Sequence, residues 1–285
     1  MLLIKNFIVV YYSHMLNSVT TELLLEPNRY WLFTSKSCPY AHRVEIVLKL
    51  KSLEPYVRLH WCNPVFKFTG WELDYDYVQN IPNDFTGKLE TIYKKADPEY
   101  NGKYYSLPLL YDSVENKIIS NESADIIKIF NSMDTNSLDL YPEDFRDAID
   151  AFCKQFNQRI GTDTYRAGHS KTQEEYKQLY NLVFEYLDIL DKILDGKYIF
   201  GDRLTLADVY TYAHLIRFDC IFRQLFSLNK AHLWEYPNIY SYMVRLSHDF
   251  NFGSTVDMLE MMKGAFMSEN NLPANMGCMK SMILV

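Results

Sequence analysis

A mixed α/β unit followed by an all-helical unit is the fold class this sequence predicts, and three observations predict it. Up to about residue 132, short strand-forming runs alternate with helical periodicity; beyond residue 147 every periodic stretch repeats at helical spacing. The polar stretch from Ser132 to Pro142 separates the two patterns. The length, 285 residues, suits two domains on a prior of about 100–200 residues each.

The chain opens on an apolar run, Met1 to Tyr12, far too short to span a bilayer and without a clear basic start or small-residue cleavage site. Residues 1–29 therefore read as an arm packed on the body. Tyr30 to Phe33 is the first expected strand, Pro39 to Lys51 a helix, and Val57 to Cys62 a second strand. The irregular segment 63–104 follows, punctuated by Pro64, Gly70, Pro82, Gly87, Pro98 and Gly102. Segments this long tend to be functional or to cover something. A short helix is expected within it at Leu89 to Lys95. Ser106 to Asp112 and Lys117 to Ile119 read as two strands around a polar turn, and Asn121 to Asp125 opens a helix reaching Phe130. The order βαβ then ββα is that of a thioredoxin-like domain, here residues 30–132.

Residues 133–147 read as a linker and 148–265 as an all-α domain. Ile149, Phe152, Phe156 and Ile160 form one apolar stripe, and Tyr176, Leu179, Val183, Leu187, Leu190 and Leu194 another. Leu206, Val209, Ala213, Ile216 and Cys220 form a third. Thr205-Leu206-Ala207-Asp208 supplies a capping box, with Asp in the usual Glu position. The final helix is expected from Pro237 to Leu246, and residues 266–285 read as a loosely held tail.

Composition narrows the function. Apolar residues make up 48% and aromatics 15%, ample for packed cores, while a net charge of −7 with scattered basic residues argues against nucleic acid as a partner. No stretch reaches transmembrane length, so no membrane association is expected. Cys38, Cys62, Cys153, Cys220 and Cys278 form no CxxC pair, which reads as cytoplasmic thiols rather than a disulfide framework. Neither these cysteines nor the seven histidines form a metal-ligand pattern.

The chemistry centres on Ser35-Lys36-Ser37-Cys38-Pro39-Tyr40-Ala41-His42-Arg43. Pro39 suits the first helical position, which puts Cys38 at the N-cap of a strand-to-helix turn. There the unpaired N–H groups and the positive end of the helix dipole favour a thiolate, so the cysteine pKa is expected below its reference of about 8.5. His42 and Arg43 would add positive charge. A buried structural cysteine is the alternative. His42, four residues along the helix, points up the axis and is not expected to act as a base.

A cysteine at the first helix of such a domain, followed by a helical half with this capping box, resembles the glutathione transferases. Finer motifs are similar to those of the glutathionyl-hydroquinone reductases, also called xi-class glutathione transferases. These are Cys38-Pro39-Tyr40-Ala41-His42-Arg43, Gly70-Trp71, the Pro108 strand, Asn121-Glu122-Ser123, Tyr141-Pro142, Thr164 to Gly168, Leu215 to Asp219 and Tyr236-Pro237-Asn238. They run in order from about residue 26 to 265.

The resemblance implies glutathione as cosubstrate, with no metal. It implies a cis Leu107–Pro108 bond that offers the Leu107 backbone to a ligand, although an ordinary trans proline fits the sequence equally. It implies Glu122 for the γ-glutamyl ammonium, Ser123 and the helix N-terminus for the carboxylate, and Trp71 packed on the tripeptide or the quinol ring. Cys38 is the implied nucleophile and Tyr165 the implied phenolic donor to the quinol oxygen. A homodimer acting on small aromatic quinol conjugates is the implied assembly. Three positions depart from the family pattern. Phe222 stands where a second tyrosine is expected, Lys103 where an arginine contacts glutathione, and Tyr40 where a tryptophan lines the site. Two alternatives remain at this stage: an omega-like glutathione transferase with thiol-transferase or dehydroascorbate reductase activity, and a non-catalytic glutathione-fold binding protein.

Overall fold

The computed structural model describes residues 23–74, 87–100, 104–133 and 135–269. Most of the expected N-terminal arm and of the C-terminal tail, and Lys103, lie outside them. Four strands form one sheet in the order β2-β1-β3-β4: β1 Tyr30–Thr34, β2 Val57–Trp61, β3 Leu109–Asp112 and β4 Lys117–Ser120. β1 pairs with β2 in parallel and with β3 antiparallel, and β3 pairs antiparallel with β4. This is the thioredoxin-like sheet that the sequence predicted.

Strand alternation sorts the two faces. Tyr30, Leu32, Val57 and Leu110 join a large core shared with the helical half. Phe33, Leu109 and Tyr111 face a smaller core with α2, Leu89–Ala96, and the insert. Helix α1, Pro39–Leu50, lies on the large-core side with α3, Ser123–Ser132. Eight successive residues of α1, Ala41 to Leu48, are buried, including His42, Arg43 and Glu45. A helix covered all round is a sandwiched one, and α1 is the joint between the two halves.

The helical half begins with α4 Arg146–Phe156, inside the predicted linker, and continues without a break into a π-helical turn, Asn157–Asp163, and α5 Thr164–Gly168. Next come α6 Gln173–Ile193, α7 Leu206–Leu215, a second π-helical turn Phe218–Phe222, α8 Arg223–Leu225 and α9 Pro237–Asp249. At the start of α7 the Asp208 carboxylate accepts from Thr205 N at 2.8 Å and the Thr205 side chain answers the Asp208 amide, the box read from the sequence; Thr205 Oγ1 also donates to that carboxylate at 3.2 Å. It also accepts from Ile199 N and Tyr242 OH, each at 2.9 Å.

Two expectations fail at the C-terminal end. α9 is not the last helix, because α10 spans Met258–Met267. Nor is the chain loosely held directly after it. Ser268 Oγ accepts from Phe66 N at 2.8 Å, Glu269 Oε2 accepts from Phe68 N at 2.7 Å, and Glu269 N donates to Phe66 O at 3.1 Å. The sequence hid this helix because its methionine-rich pattern offers little polar contrast. Among the described residues, no helix is long and apolar enough to cross a membrane.

Candidate active site

Cys38 caps α1 with extended backbone angles, φ −86° and ψ 114°, and its sulfur accepts from Ala41 N at 3.4 Å. Pro39 at N1 leaves no N–H to satisfy there. On the other side the thiol donates to the Leu107 carbonyl at 3.8 Å, and the Leu107–Pro108 bond is cis. The residue before Leu107, Ser106, is held by Tyr93 of α2 and by Asn121, just ahead of α3. Asn121 Nδ2 donates to Tyr93 OH at 3.2 Å and to Ser106 Oγ at 3.3 Å, and Tyr93 OH donates to Ser106 O at 2.9 Å.

The expected depression of the thiol pKa is not what the structure gives. Cys38 is only 8% exposed, and burial pushes its pKa up, against the opposing pull of the Ala41 and Tyr40 amides and of the Arg217 and Arg43 charges. The N-cap geometry was legible in the sequence; the desolvation was not, because it comes from parts of the chain distant in sequence. His42 likewise adds no charge. Burial first, then Arg217, hold its pKa well below the usual histidine value, so it is neutral.

The Arg217 guanidinium, 1% exposed, crosses from the helical half into the Cys38 turn. Nη2 donates to Lys36 O at 2.7 Å, and Nη1 donates to His42 Nδ1 at 2.9 Å and to Ala213 O. His42 Nε2 then carries the proton and donates to Thr255 Oγ1 at 2.6 Å. Lys36 Nζ completes the network, donating to Glu45 Oε1 at 2.8 Å and to Thr255 O at 2.9 Å. Burial lowers the Arg217 pKa to about 10, still high enough to keep the charge at neutral pH. The sequence marked Arg217 only as part of a motif. Lys36 stood only as part of the Cys38 stretch, and Glu45 and Thr255 had no such signal, since the network they join is assembled from parts of the chain far apart.

Glu122 sits at the N-cap of α3 but its side chain makes no capping bond, and it is exposed; Ser123 is buried at the first helical position. Simple helix capping therefore does not account for Glu122. Trp71 is half-buried in the insert, edge-on to Phe66 with centroids 5.0 Å apart. Tyr40 is half-buried, its ring edge-on to His214 at 5.4 Å, with the Arg43 guanidinium 4.6 Å over its face. Tyr165 and Phe222 meet through a third ring. Phe226 lies edge-on to Tyr165 at 5.7 Å and stacks on Phe222 at 6.0 Å. Burial raises the Tyr165 pKa to about 12, so it holds its proton as a donor should.

The family model described as Glutathione S-transferase, C-terminal domain, matches residues 173–245. Over 241 residues the chain is 36% identical to glutathionyl-hydroquinone reductase PcpF of Sphingobium chlorophenolicum, spanning 82% of this chain and 76% of that protein. The glutathione-bound structure of YqjG, a glutathione transferase homolog from Escherichia coli K-12, superposes with a TM-score of 0.80 at 31% identity, covering 87% of this chain and 82% of that one. The glutathione-S-transferase Xi from Phanerochaete chrysosporium superposes with a TM-score of 0.79 at 28% identity, covering 90% and 93%. Identity at this level across most of both chains, with the same fold, means that the chain belongs to the xi-class glutathione transferase, or glutathionyl-hydroquinone reductase, family.

Proposed function

We propose that this protein is a cysteine-dependent, glutathione-using reductase that removes glutathione from glutathionyl-hydroquinones. The observation that carries the reading is the seating of Cys38 between the N-terminal amides of α1 and the Leu107 carbonyl, with Arg217 charged nearby. The Cys38 thiolate attacks the glutathione sulfur of the conjugate. The carbon–sulfur bond to the ring breaks, the ring carbon takes a proton, and free hydroquinone leaves. Cys38 then holds glutathione as a mixed disulfide. A second glutathione thiolate attacks the glutathione sulfur of that disulfide, releasing oxidised glutathione and the Cys38 thiolate. The ring is reduced by two electrons and two sulfurs are oxidised to one disulfide, so no further reductant is required.

Glutathione binding uses Glu122 for the ammonium, Ser123 and the first amides of α3 for the carboxylate, and the Leu107 backbone for the cysteinyl part. Trp71 packs on the ligand, and Lys103 gives a point charge in place of bidentate arginine contact. Tyr165 donates to the quinol oxygen, and Tyr40 and Phe222 line the acceptor side. A cytoplasmic homodimer is the form in which this chemistry is proposed to operate. Phe222, apolar within the aromatic cluster, favours an omega-like thiol-transferase as the second reading.

Incubation with the glutathione conjugate of menadiol followed by mass spectrometry tests the proposal. One glutathione on Cys38, released by added glutathione, is expected. No adduct, alongside brisk reduction of small glutathione mixed disulfides, would favour the omega-like reading.

A further inference from the structure

Helix α2, supplied by the long insert, is tied to all three stretches assigned above to glutathione. Its first amide, Leu89 N, donates to Trp71 O at 3.0 Å, and just ahead of it Gly87 O accepts from Leu73 N at 2.7 Å. One turn further on, the Tyr93 hydroxyl donates to Ser106 O at 2.9 Å, in the residue before Leu107. The same oxygen accepts from Asn121 Nδ2 at 3.2 Å, in the residue before Glu122 and Ser123. Asn121 Nδ2 also reaches Ser106 Oγ at 3.3 Å, which closes the triangle. Tyr93 is fully buried, its ring 4.9 Å from that of Tyr100 and 5.4 Å from that of Tyr105. Burial raises its pKa, so the hydroxyl keeps the proton it donates. Core packing accounts for the ring, since a phenylalanine would fill the same space. It does not account for a buried hydroxyl that joins two segments fifteen residues apart in sequence.

We propose that Tyr93 and Asn121 are positioning residues for glutathione, fixing the Leu107 backbone at a set distance from the Glu122–Ser123 helix start. The proposal rests on the glutathione reading above and is independent of the acceptor substrate. The peptide must reach both places at once. Its second contact is made at high effective concentration only when their spacing matches the ligand. Without the hydroxyl, Ser106 and Asn121 lose their shared partner and the two segments move independently. The insert thus contributes to recognition through α2 as well as through Trp71, in keeping with the functional character of such long segments.

Calorimetry with S-methylglutathione, whose capped sulfur forms no disulfide with Cys38, tests this on the full chain. Tyr93→Phe keeps the ring and deletes only the hydroxyl, and its affinity should fall about tenfold. Asn121→Ala should lose a similar factor. The double variant should bind no more weakly than the weaker single one, because both substitutions break one node. Tyr111→Phe is the control. Its ring belongs to the same small core, but its hydroxyl donates to Asn116 Oδ1 at 3.1 Å, in the β3–β4 turn. It should bind within about twofold of the parent protein. Urea midpoints report that each variant is folded. Parent-like affinity in Tyr93→Phe, even with a lowered midpoint, overturns the proposal and leaves Tyr93 a packing residue. An equal loss in Tyr111→Phe also overturns it, since general loosening of the core would then be the cause. So do losses that multiply to about a hundredfold in the double variant, which would mark two independent contacts. A parent protein that does not bind S-methylglutathione overturns the glutathione reading itself, and this proposal with it.

Discussion

Arg217 Nη1 donates to His42 Nδ1 at 2.9 Å, joining the helical half to the helix that Cys38 begins. The same guanidinium holds the Lys36 carbonyl at 2.7 Å in the turn before the thiol. One buried charge therefore positions the Cys38 turn and opposes the desolvation of its sulfur.

Replacing Arg217 should be felt in both ways. Arg217→Met leaves the Lys36 carbonyl and His42 Nδ1 unpaired, and each buried group left so costs about 1–3 kcal/mol. It also removes a positive charge that lowers the Cys38 pKa. Denaturant midpoints should fall, and the pH profile of Cys38 alkylation should move to higher pH. Lower stability with an unmoved profile would limit Arg217 to a packing role.

The direction of the Cys38 shift predicts its own pH dependence. A thiol pushed up by burial is mostly protonated at neutral pH, so alkylation should keep accelerating beyond pH 8.5, about the value of a free cysteine. Stopped-flow reaction with iodoacetamide from pH 6 to 10 would measure it. A plateau below pH 7 would mean that the amides of α1 and the Arg217 charge outweigh desolvation.

Phe222 stacks on Phe226, which in turn touches Tyr165, so Phe222→Tyr would bring a second hydroxyl to the same aromatic cluster. On the proposed function this variant should raise turnover of glutathionyl-menadiol several-fold while leaving mixed-disulfide reduction alone. Steady-state kinetics on both substrates decide it. No gain on the aromatic substrate would count against Phe222 as a weakened quinol contact.

What the sequence revealed and what it hid divide by distance along the chain. The turn at Cys38, the strand before it, Pro39 at N1 and the Thr205–Asp208 box are decided within a few residues, and all four were legible. Cys38 is buried in a turn whose partners are remote in the chain: Leu107 O at its thiol, Arg217 on the Lys36 carbonyl, and Gly264 of α10 against Ser37, which no local pattern joins to it. Helix α1 is expected from Pro39 to Lys51, and Ala41, Val44, Val47 and Leu48 recur there at helical spacing. His42, Arg43 and Glu45, the polar residues between them, are buried too, their partners being Arg217, the Tyr40 and Tyr210 rings, and Lys36. Polar residues with remote partners look like surface until the fold brings those partners in.

His60 shows a similar concealment with a consequence for acid stability. It is fully buried on β2, stacked on Phe33 at 5.1 Å, with neither ring nitrogen hydrogen-bonded among the described residues. Burial lowers its pKa to about 4. The unfolded chain takes up this proton near pH 6.5, so the contribution to stability is intact above that pH and is lost as pH falls towards 4. The full loss is about 3 kcal/mol. Asp208 opposes it: burial raises its pKa to about 6, so its own contribution is present below pH 3.8 and is lost as pH rises through 6. His60→Leu isolates the histidine. Its stability advantage over the parent protein should widen by about 3 kcal/mol between pH 7 and pH 4. A difference that does not vary with pH in urea melts would sink this account.

The last prediction concerns α10, the helix the sequence did not disclose. A Cβ on Gly264 would lie 2.1 Å from Ser37 Cβ and 2.6 Å from Pro64 O, so α10 touches the residue before Cys38 and the insert that carries Trp71. Neither neighbour is the far end of a flexible side chain, and such overpacking costs about 1–3 kcal/mol. Gly264→Ala should push α10 off the Cys38 turn and admit water to the sulfur. Desolvation, the largest influence raising the thiol pKa, would then weaken. Cys38 should alkylate faster at neutral pH, even as the melting temperature falls. Gly196→Ala is the control, since a Cβ there meets nothing nearer than 3.6 Å. If Gly264→Ala melts lower yet leaves Cys38 reactivity where Gly196→Ala leaves it, α10 supports the fold without shielding the thiol.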